Sequence, residues 1–113
     1  MPGIEFRDNG NLLLKGRSNP EDPEKLYRPL FDFVGQLNVP RVKFDIKLKY
    51  FNTASSKMLM KLFNYLEANE NIADILINWY YEDGDEDSRE SAEIYEENLS
   101  RCKFTYTKSK LEG

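Results

Sequence analysis

A run of hydroxyl and amide residues near the middle of the chain carries groups suited to regulatory chemistry. The run is Asn52-Thr53-Ala54-Ser55-Ser56-Lys57. Asn, Ser and Thr oxygens accept hydrogen bonds from the unpaired N–H groups of a helix's first turn. The roughly half positive charge at that end of a helix also favours a phosphate. The run therefore has two interpretations, a plain helix cap or a phosphorylation switch on Thr53, Ser55 or Ser56.

The flanking residues predict the two elements that position this run. Upstream, apolar and charged residues alternate over positions 41–50, which indicates a strand with one buried face. The apolar set there is Val42, Phe44, Ile46, Leu48 and Tyr50. Downstream, the apolar residues at helical spacing are Met58, Leu59, Leu62, Phe63 and Leu66. A helix is therefore expected from about Thr53 to Leu66 or Ala68, with Asn52 to Ser56 at its N-terminus.

Turn residues and apolar periodicity predict the remaining elements. They are strands at 4–7 and 11–15 joined by a hairpin turn, a helix beginning near Asp22-Pro23, a strand at 72–82, a helix at 85–99 and a strand around Phe104 and Tyr106. Pro29 is expected to kink the first helix or delay its start, and residues 108–113 are expected to form a frayed tail. The order β-β-α-β-α-β-α-β predicts an α/β (mixed α+β) fold, with a mixed sheet of about five strands and helices mainly on one face.

Length and composition restrict the possible functions. With 113 residues, 40% of them hydrophobic, residues 1–113 are expected to form a single domain with its own core. The sequence has no apolar run that could span a bilayer and no signal-peptide pattern at its start, so a cytoplasmic protein without a membrane partner is expected. Histidine is absent and Cys102 is the single cysteine. The sequence therefore predicts no catalytic residues, no metal and no cofactor.

An acidic segment at residues 82–97 leaves one enzymatic alternative open. It holds nine acidic residues and a single basic one, Arg89. Hard cations prefer oxygen ligands, so a metal-dependent enzyme using this segment is a second hypothesis, although the spacing does not match an EF-hand. Charge runs more often form a solvated helix or an acidic partner surface. The basic face of strand 41–50 is narrow and interrupted by Asp45, which argues against a nucleic-acid partner.

Three stretches together resemble the SiaC family of bacterial regulatory phosphoproteins. They are Gly16-Arg17-Ser18-Asn19-Pro20-Glu21, Leu48-Lys49-Tyr50-Phe51-Asn52-Thr53-Ala54-Ser55-Ser56-Lys57 and Trp79-Tyr80-Tyr81-Glu82-Asp83. The resemblance implies a STAS-like architecture of the anti-sigma-factor-antagonist type. It also implies that a dedicated kinase phosphorylates a hydroxyl at a helix N-terminus and that a PP2C-type phosphatase removes the phosphate.

The resemblance also implies roles for individual residues. The phosphoacceptor is the threonine of an Asn-Thr-x-Ser motif, which falls on Thr53, and the unphosphorylated form is expected to bind and activate a diguanylate cyclase. The surface that a partner reads is then expected to comprise Asn52, Thr53, Ser55, Ser56 and Lys57. Two positions depart from the family pattern, because Ala54 replaces a commoner serine and Asn19 stands where tyrosine is frequent. A constitutive protein-binding module, whose hydroxyls only cap the helix, is the other non-enzymatic hypothesis.

Overall fold

The computed structural model describes residues 2–112. Its elements are β1 (Gly3–Phe6), β2 (Asn11–Ser18), α1 (Pro23–Gln36), β3 (Arg41–Phe51), α2 (Thr53–Ala68), β4 (Asp74–Tyr81), α3 (Glu86–Glu97) and β5 (Cys102–Lys108). This order confirms the predicted β-β-α-β-α-β-α-β arrangement.

The five strands form one sheet in the order β1-β2-β3-β4-β5. β1 is antiparallel to β2, and the other neighbours are parallel. Each parallel crossover leads to the next strand in the same direction, and such crossovers are right-handed, so α1, α2 and α3 are placed on the same face. Buried residues of all three helices join one apolar cluster with alternate strand residues. The predicted one-sided arrangement is confirmed, and we call the opposite side of the sheet the open face.

Parallel strands bring three helix N-termini to one edge of the sheet. Asp22 caps α1, Asn52 caps α2 and Asp85 caps α3, each accepting a hydrogen bond from a backbone N–H three residues further on. We call this end of the sheet, where β2 to β5 finish, the carboxyl edge. In open α/β sheets, ligands are commonly bound outside this edge.

A bulge in β3 corrects the prediction for Tyr50. Gly16 pairs with Leu48, whereas Arg17 pairs with Tyr50, so Lys49 is an extra residue on β3. One extra residue reverses which side chains face the core. Tyr50 is consequently 46% exposed, and Phe51 packs on Trp79 instead, with ring centroids 5.8 Å apart. The alternation alone wrongly placed Tyr50 in the core.

Three smaller predictions also need correction. β2 continues beyond residue 15 as far as Ser18 despite its glycine, because Gly16 adopts a positive φ of 91° next to the bulge. Of the two effects expected of Pro29, a kink or a delayed helix start, the delayed start does not occur, because α1 begins at Pro23. The tail is not frayed throughout, since the Leu111 side chain is only 6% exposed.

A carboxylate clasp joins the end of α2 to the start of β5. Glu67 accepts hydrogen bonds from the backbone N–H groups of Ser100 at 3.1 Å, Arg101 at 2.6 Å and Cys102 at 2.7 Å. The Arg101 guanidinium in turn donates to the carbonyls of Glu67 and Ile72. Burial opposes ionisation of Glu67, but the three N–H donors outweigh it and lower its pKa.

We expect Glu67→Gln to lower the free energy of unfolding by about 1 kcal/mol at neutral pH, since charge-assisted hydrogen bonds are replaced by neutral ones. The lowered pKa means that the ionised clasp stabilises fully above the unfolded-state pKa, about 4.3 for glutamate. That stabilisation is lost as the pH falls through the lower folded-state pKa. Urea unfolding of both proteins between pH 7 and 3 measures the difference, and Glu70→Gln, at an exposed position next to the helix end, is the control. An unchanged difference down to pH 3 would contradict the clasp.

Candidate functional site

Asn52 organises the first turn of α2. Its Oδ1 accepts a hydrogen bond from Ser55 N at 2.8 Å, and its carbonyl accepts the first helical bond, from Ser56 N, at 2.9 Å. Its own N–H donates to Ser18 O at 3.0 Å, which ties the cap to the end of β2. The expectation that Asn52 to Ser56 lie at a helix N-terminus is confirmed. The N–H groups of Thr53 and Ala54 come before the first helical bond and have no partner within the helix.

Thr53 is the exposed hydroxyl of this turn. It is the first residue of α2, and its side chain makes no hydrogen bond within residues 2–112. Lys57 is also exposed. Four residues apart on a helix, the two side chains lie on the same face. A solvent-facing hydroxyl, two unpaired N–H groups and a neighbouring ammonium group therefore share one small surface.

Ser55 points in the opposite direction, into a buried chain of hydroxyls. It is 0% exposed and donates to Ser18 O at 2.9 Å, while its Oγ lies 2.8 Å from Ser18 Oγ. Ser18 Oγ lies 2.6 Å from the Tyr27 hydroxyl. Each hydroxyl has one proton, so Tyr27 donates to Ser18, Ser18 to Ser55 and Ser55 to the carbonyl. Burial raises the pKa of Tyr27, which keeps the donating phenol protonated.

Ser56 connects the same turn to α3. Its Oγ lies 2.5 Å from the Tyr95 hydroxyl, which donates to the Ser56 carbonyl at 3.1 Å. Burial raises the pKa of Tyr95, so the phenol remains a donor. Of the five residues expected to form a partner surface, the structure therefore leaves Thr53 and Lys57 exposed and Asn52 partly exposed. Ser55 is buried, and Ser56 is partly buried against α3.

The network partners Ser18, Tyr27 and Tyr95 were missed as site residues by sequence reasoning. Tyr27 is one of the buried residues of α1, and Tyr95 is one of those of α3. A tyrosine at such a position combines an apolar ring with a polar tip that needs a partner when buried. The need of a buried tyrosine hydroxyl for a partner, together with the serine-rich turn at residues 53–56, was the signal from which these network residues could have been found.

The three stretches that carry the family resemblance meet at the carboxyl edge. Ser18, from the first stretch, bonds to Asn52 and Ser55 of the second. Phe51 of the second contacts Trp79 of the third through their rings. Segments far apart in sequence thus form one continuous region around the start of α2.

The acidic segment is engaged in holding α3 in place. Asp85 caps the helix by accepting from Ser88 N at 3.2 Å, and Trp79 donates its indole N–H to Ser88 Oγ at 3.0 Å. Glu96 accepts from the Tyr106 hydroxyl at 2.7 Å. Between residues 2 and 112 no three His, Cys, Asp or Glu side chains are grouped so that they could hold a metal ion. The described residues therefore offer no candidate metal centre for the hypothesis of a metal-dependent enzyme.

The helices of residues 2–112 are all too short or too polar to cross a membrane.

Comparison with known proteins gives consistent matches. The model of the SiaC family of regulatory phosphoproteins matches residues 1–109. An uncharacterized protein of Pseudomonas aeruginosa (strain UCBPP-PA14) is 30% identical over 101 residues, covering 86% of this chain and 78% of that protein.

Solved structures from the same organism share the fold. A chain in the crystal structure of the diguanylate cyclase SiaD in complex with its activator SiaC from P. aeruginosa is similar with a TM-score of 0.83 and 26% identity, covering 96% of this chain and 93% of that chain. Apo-SiaC from P. aeruginosa is similar with a TM-score of 0.77 and 25% identity, covering 94% of this chain and 89% of that chain. The family match extends over nearly the whole sequence, including all three stretches at the carboxyl edge. The chain belongs to the SiaC family of regulatory phosphoproteins.

Proposed function

We propose that this protein is a non-catalytic phosphoswitch in which a kinase phosphorylates Thr53 and a PP2C-type phosphatase reverses the modification. The observation that carries the proposal is the contrast between the hydroxyls in one helical turn. Thr53 is exposed and has no hydrogen-bond partner among the described residues, whereas Ser55 is buried and Ser56 is bonded to Tyr95. A kinase must reach the hydroxyl with its own active site, and Thr53 is the one that requires no unfolding of the turn.

The surroundings of Thr53 suit a phosphate once it is formed. The group would add about −1.5 to −2 charges next to the helix N-terminus, where the N–H groups of Thr53 and Ala54 lack helical partners. Lys57, one turn further on the same face, would supply a positive charge. The modified state would then be accommodated without rearrangement of α2, and the change would be confined to the surface that a partner contacts.

A diguanylate cyclase is the downstream partner we propose. The similar P. aeruginosa protein SiaC is the activator of the diguanylate cyclase SiaD and has been crystallised in complex with it. By analogy, the unphosphorylated protein binds the cyclase through a surface formed by Thr53, Lys57 and the exposed part of Asn52. Phosphate at Thr53 would weaken binding, because in the contact its charge would lose its water or would face acidic groups of the cyclase. This surface is narrower than the sequence expectation, because it leaves out the buried Ser55 and the Tyr95-bonded Ser56.

Mass spectrometry of the protein isolated from its own cells tests the modification directly. We expect a phosphatase-sensitive increase of about 80 Da, one phosphoryl group, and peptide mapping should locate it on Thr53. The protein carrying Thr53→Val, which removes the hydroxyl but keeps the branched shape, is the control and should lack the increment. Phosphate found only on Ser56 would move the switch to another residue. Absence of phosphate under several growth conditions would favour the constitutive binding module.

Aspartate substitutions, which mimic the negative charge of a phosphate, should have opposite effects on stability at Thr53 and at Ser55. Thr53→Asp should raise the free energy of unfolding by about 0.3–1 kcal/mol through the helix dipole, whereas Ser55→Asp should lower it by about 3 kcal/mol or more, because it buries a carboxylate. Denaturant unfolding measures both. Ser55→Ala, which only removes hydrogen bonds, should lie between them. Equal stability of Thr53→Asp and Ser55→Asp would contradict the burial of Ser55.

The same charge should control partner binding. We expect Thr53→Ala to retain affinity for a diguanylate cyclase of the source organism within about threefold, and Thr53→Asp to weaken it at least tenfold, a difference of about 1.4 kcal/mol. Titration calorimetry with the purified cyclase provides the measurement. Glu70→Lys, which alters the charge at the far end of α2, is the control and should bind normally. Indistinguishable affinities of the alanine and aspartate variants would remove Thr53 from the partner contact.

A further inference from the structure

The strand β5 forms one free edge of the sheet. It pairs only with β4, and within residues 2–112 no backbone group of residues 103–108 is hydrogen-bonded to any other segment. In a parallel pair, alternate residues of a strand direct their N–H and C=O groups away from the neighbouring strand. The outer side of β5 therefore carries a row of backbone donors and acceptors with which a further strand could pair.

This edge lacks most of the features that prevent further pairing. β5 is seven residues long, and its register with β4 is unbroken from Cys102 to Lys108, so the strand contains no bulge. Its middle, at residues 104–107, has neither charge nor proline and consists of aromatic residues and threonine, which favour strands. Natural proteins usually block an edge with a short strand, charges, proline or a bulge. β1 at the opposite edge is only four residues long, so β5 is the edge suited to accepting a strand.

The helix α3 runs beside this edge on the helical face of the sheet. Tyr106 of β5 donates its hydroxyl to Glu96 Oε1 at 2.7 Å, and the Arg89 guanidinium lies 4.9 Å from the centre of the same ring. Ser91 lines a cleft with the end of β3, so it is directed towards the middle of the sheet. Glu93 follows two residues later, about 200° further around the helix axis. Glu93 is therefore directed outwards, past β5.

The outward flank of α3 is acidic. Glu86 and Glu93 are exposed and Glu96 is partly exposed, and Arg89 lies 4.0 Å from Glu93. Glu86 and Glu93 are seven residues apart, which places them on the same flank two turns from each other. We call Glu86, Arg89, Glu93 and Glu96 the acidic wall, since it combines three carboxylates with one guanidinium.

The lysines of β5 do not neutralise the acidic wall. Lys103 lies between Cys102 and Phe104, which both contact the apolar cluster under the helices, so Lys103 projects from the open face. Lys108, at the end of the strand, forms an ion pair with Asp83 at 3.7 Å. A strand added beside β5 would consequently meet negative charge on its helix-facing side.

We propose that the outer side of β5 is a docking site for an extended segment of a partner protein, which adds a strand to the sheet and carries basic residues at alternate positions. Backbone hydrogen bonds to β5 give such a segment affinity. Only every second side chain of a strand points to one face, so basic residues spaced by two would all meet the acidic wall. Docking at β5 requires neither Thr53 nor its phosphorylation.

A second copy of the chain fits this edge less well. Two-fold pairing of β5 with itself would place both acidic walls on the same side of the enlarged sheet, facing each other across the symmetry axis. Like charges that face each other oppose association. The acidic wall therefore disfavours self-pairing and favours a basic partner segment.

A model peptide tests the site in the full-length, isotope-labelled protein by NMR. The probe is the blocked peptide Thr-Lys-Thr-Lys-Thr-Lys-Thr. We expect saturable shifts of β5 and α3 amides with a Kd of about 1 mM, and slower hydrogen exchange at alternate amides of residues 103–108. The peptide Thr-Thr-Lys-Lys-Lys-Thr-Thr, of equal charge and composition, should bind at least about threefold more weakly, because its lysines cannot all face the acidic wall. Shifts confined to α3, without protection of β5, would overturn the proposal.

Methylated probes separate backbone pairing from attraction between charges. One probe is N-methylated at its lysines and another at its threonines, so each keeps the charge but loses the N–H donors along one edge of the strand. At least one of the two should lose detectable binding. Undiminished binding of both methylated probes would show that no strand is added, which would contradict docking by β-pairing.

Variants of the acidic wall test the charge selection. Glu86→Gln combined with Glu93→Gln should weaken binding of the probe about fivefold, because two exposed carboxylates are removed. Glu5→Gln combined with Glu70→Gln changes the net charge equally at positions away from β5, and this matched control should bind normally. Equal weakening in both double variants would reduce the effect to overall charge and overturn the role of the wall. Concentration-dependent shifts of residues 103–108 without peptide would assign the edge to a second copy and likewise overturn the proposal.

Discussion

The hydrogen bonds between Ser18 and Ser55 determine which hydroxyl at the start of α2 reaches solvent. The Ser18 carbonyl accepts from both Asn52 N and Ser55 Oγ, so the end of β2 fixes the rotation of the first turn of α2. With Ser55 directed inwards, Thr53 must be directed outwards, because residues two apart on a helix are about 200° apart around its axis. The exposure of Thr53 is thus a consequence of a buried contact between two other residues.

A second set of polar contacts extends this constraint to the rest of the carboxyl edge. The hydroxyl of Tyr27 in α1 is hydrogen-bonded to Ser18, and the hydroxyl of Tyr95 in α3 is hydrogen-bonded to Ser56. Every hydroxyl of this network has a hydrogen-bond partner, since no buried side-chain polar atom of the described residues lacks one. Fully satisfied buried networks specify one arrangement, because any shift leaves a costly unpaired group. The edge is therefore a rigid platform on which Thr53 and Lys57 are the adjustable surface groups.

Regular alternation and capping made most of the fold predictable from sequence. The element order, the helix start at Thr53 and the one-sided helical layer all depend on local periodicity or on the handedness of crossovers. Tyr50 could not be placed in this way, because its orientation depends on the extra residue Lys49 in the pairing with β2. Ser55 was equally hidden, since its burial depends on Ser18, which lies 37 positions earlier in the chain. The burial of Leu111 was missed because this residue lies beyond the end of β5 at Lys108, where no local periodicity continues. Pairwise contacts between distant segments, rather than local propensities, account for the site.

The position of Thr53 limits how a phosphate there would act. At the first position of a helix, added negative charge is stabilising by a fraction of a kcal/mol to about 1 kcal/mol, so phosphorylation would not regulate the protein by unfolding it. Exposed charge is screened over about 8 Å at physiological ionic strength, so a partner sensitive to the phosphate must cover the carboxyl edge itself. The loops that lead into α1 and α3 end at the caps Asp22 and Asp85 on that same edge. Both loops are acidic, and a phosphate at Thr53 would add to an existing negative field. A partner that docks there through basic groups would bind the phosphorylated form more tightly, whereas one that docks through apolar or acidic groups would be expelled. The weaker binding that we propose for the cyclase therefore requires an apolar or acidic contact surface on the cyclase, while Thr53 and the rigid edge would fix where the added charge lies.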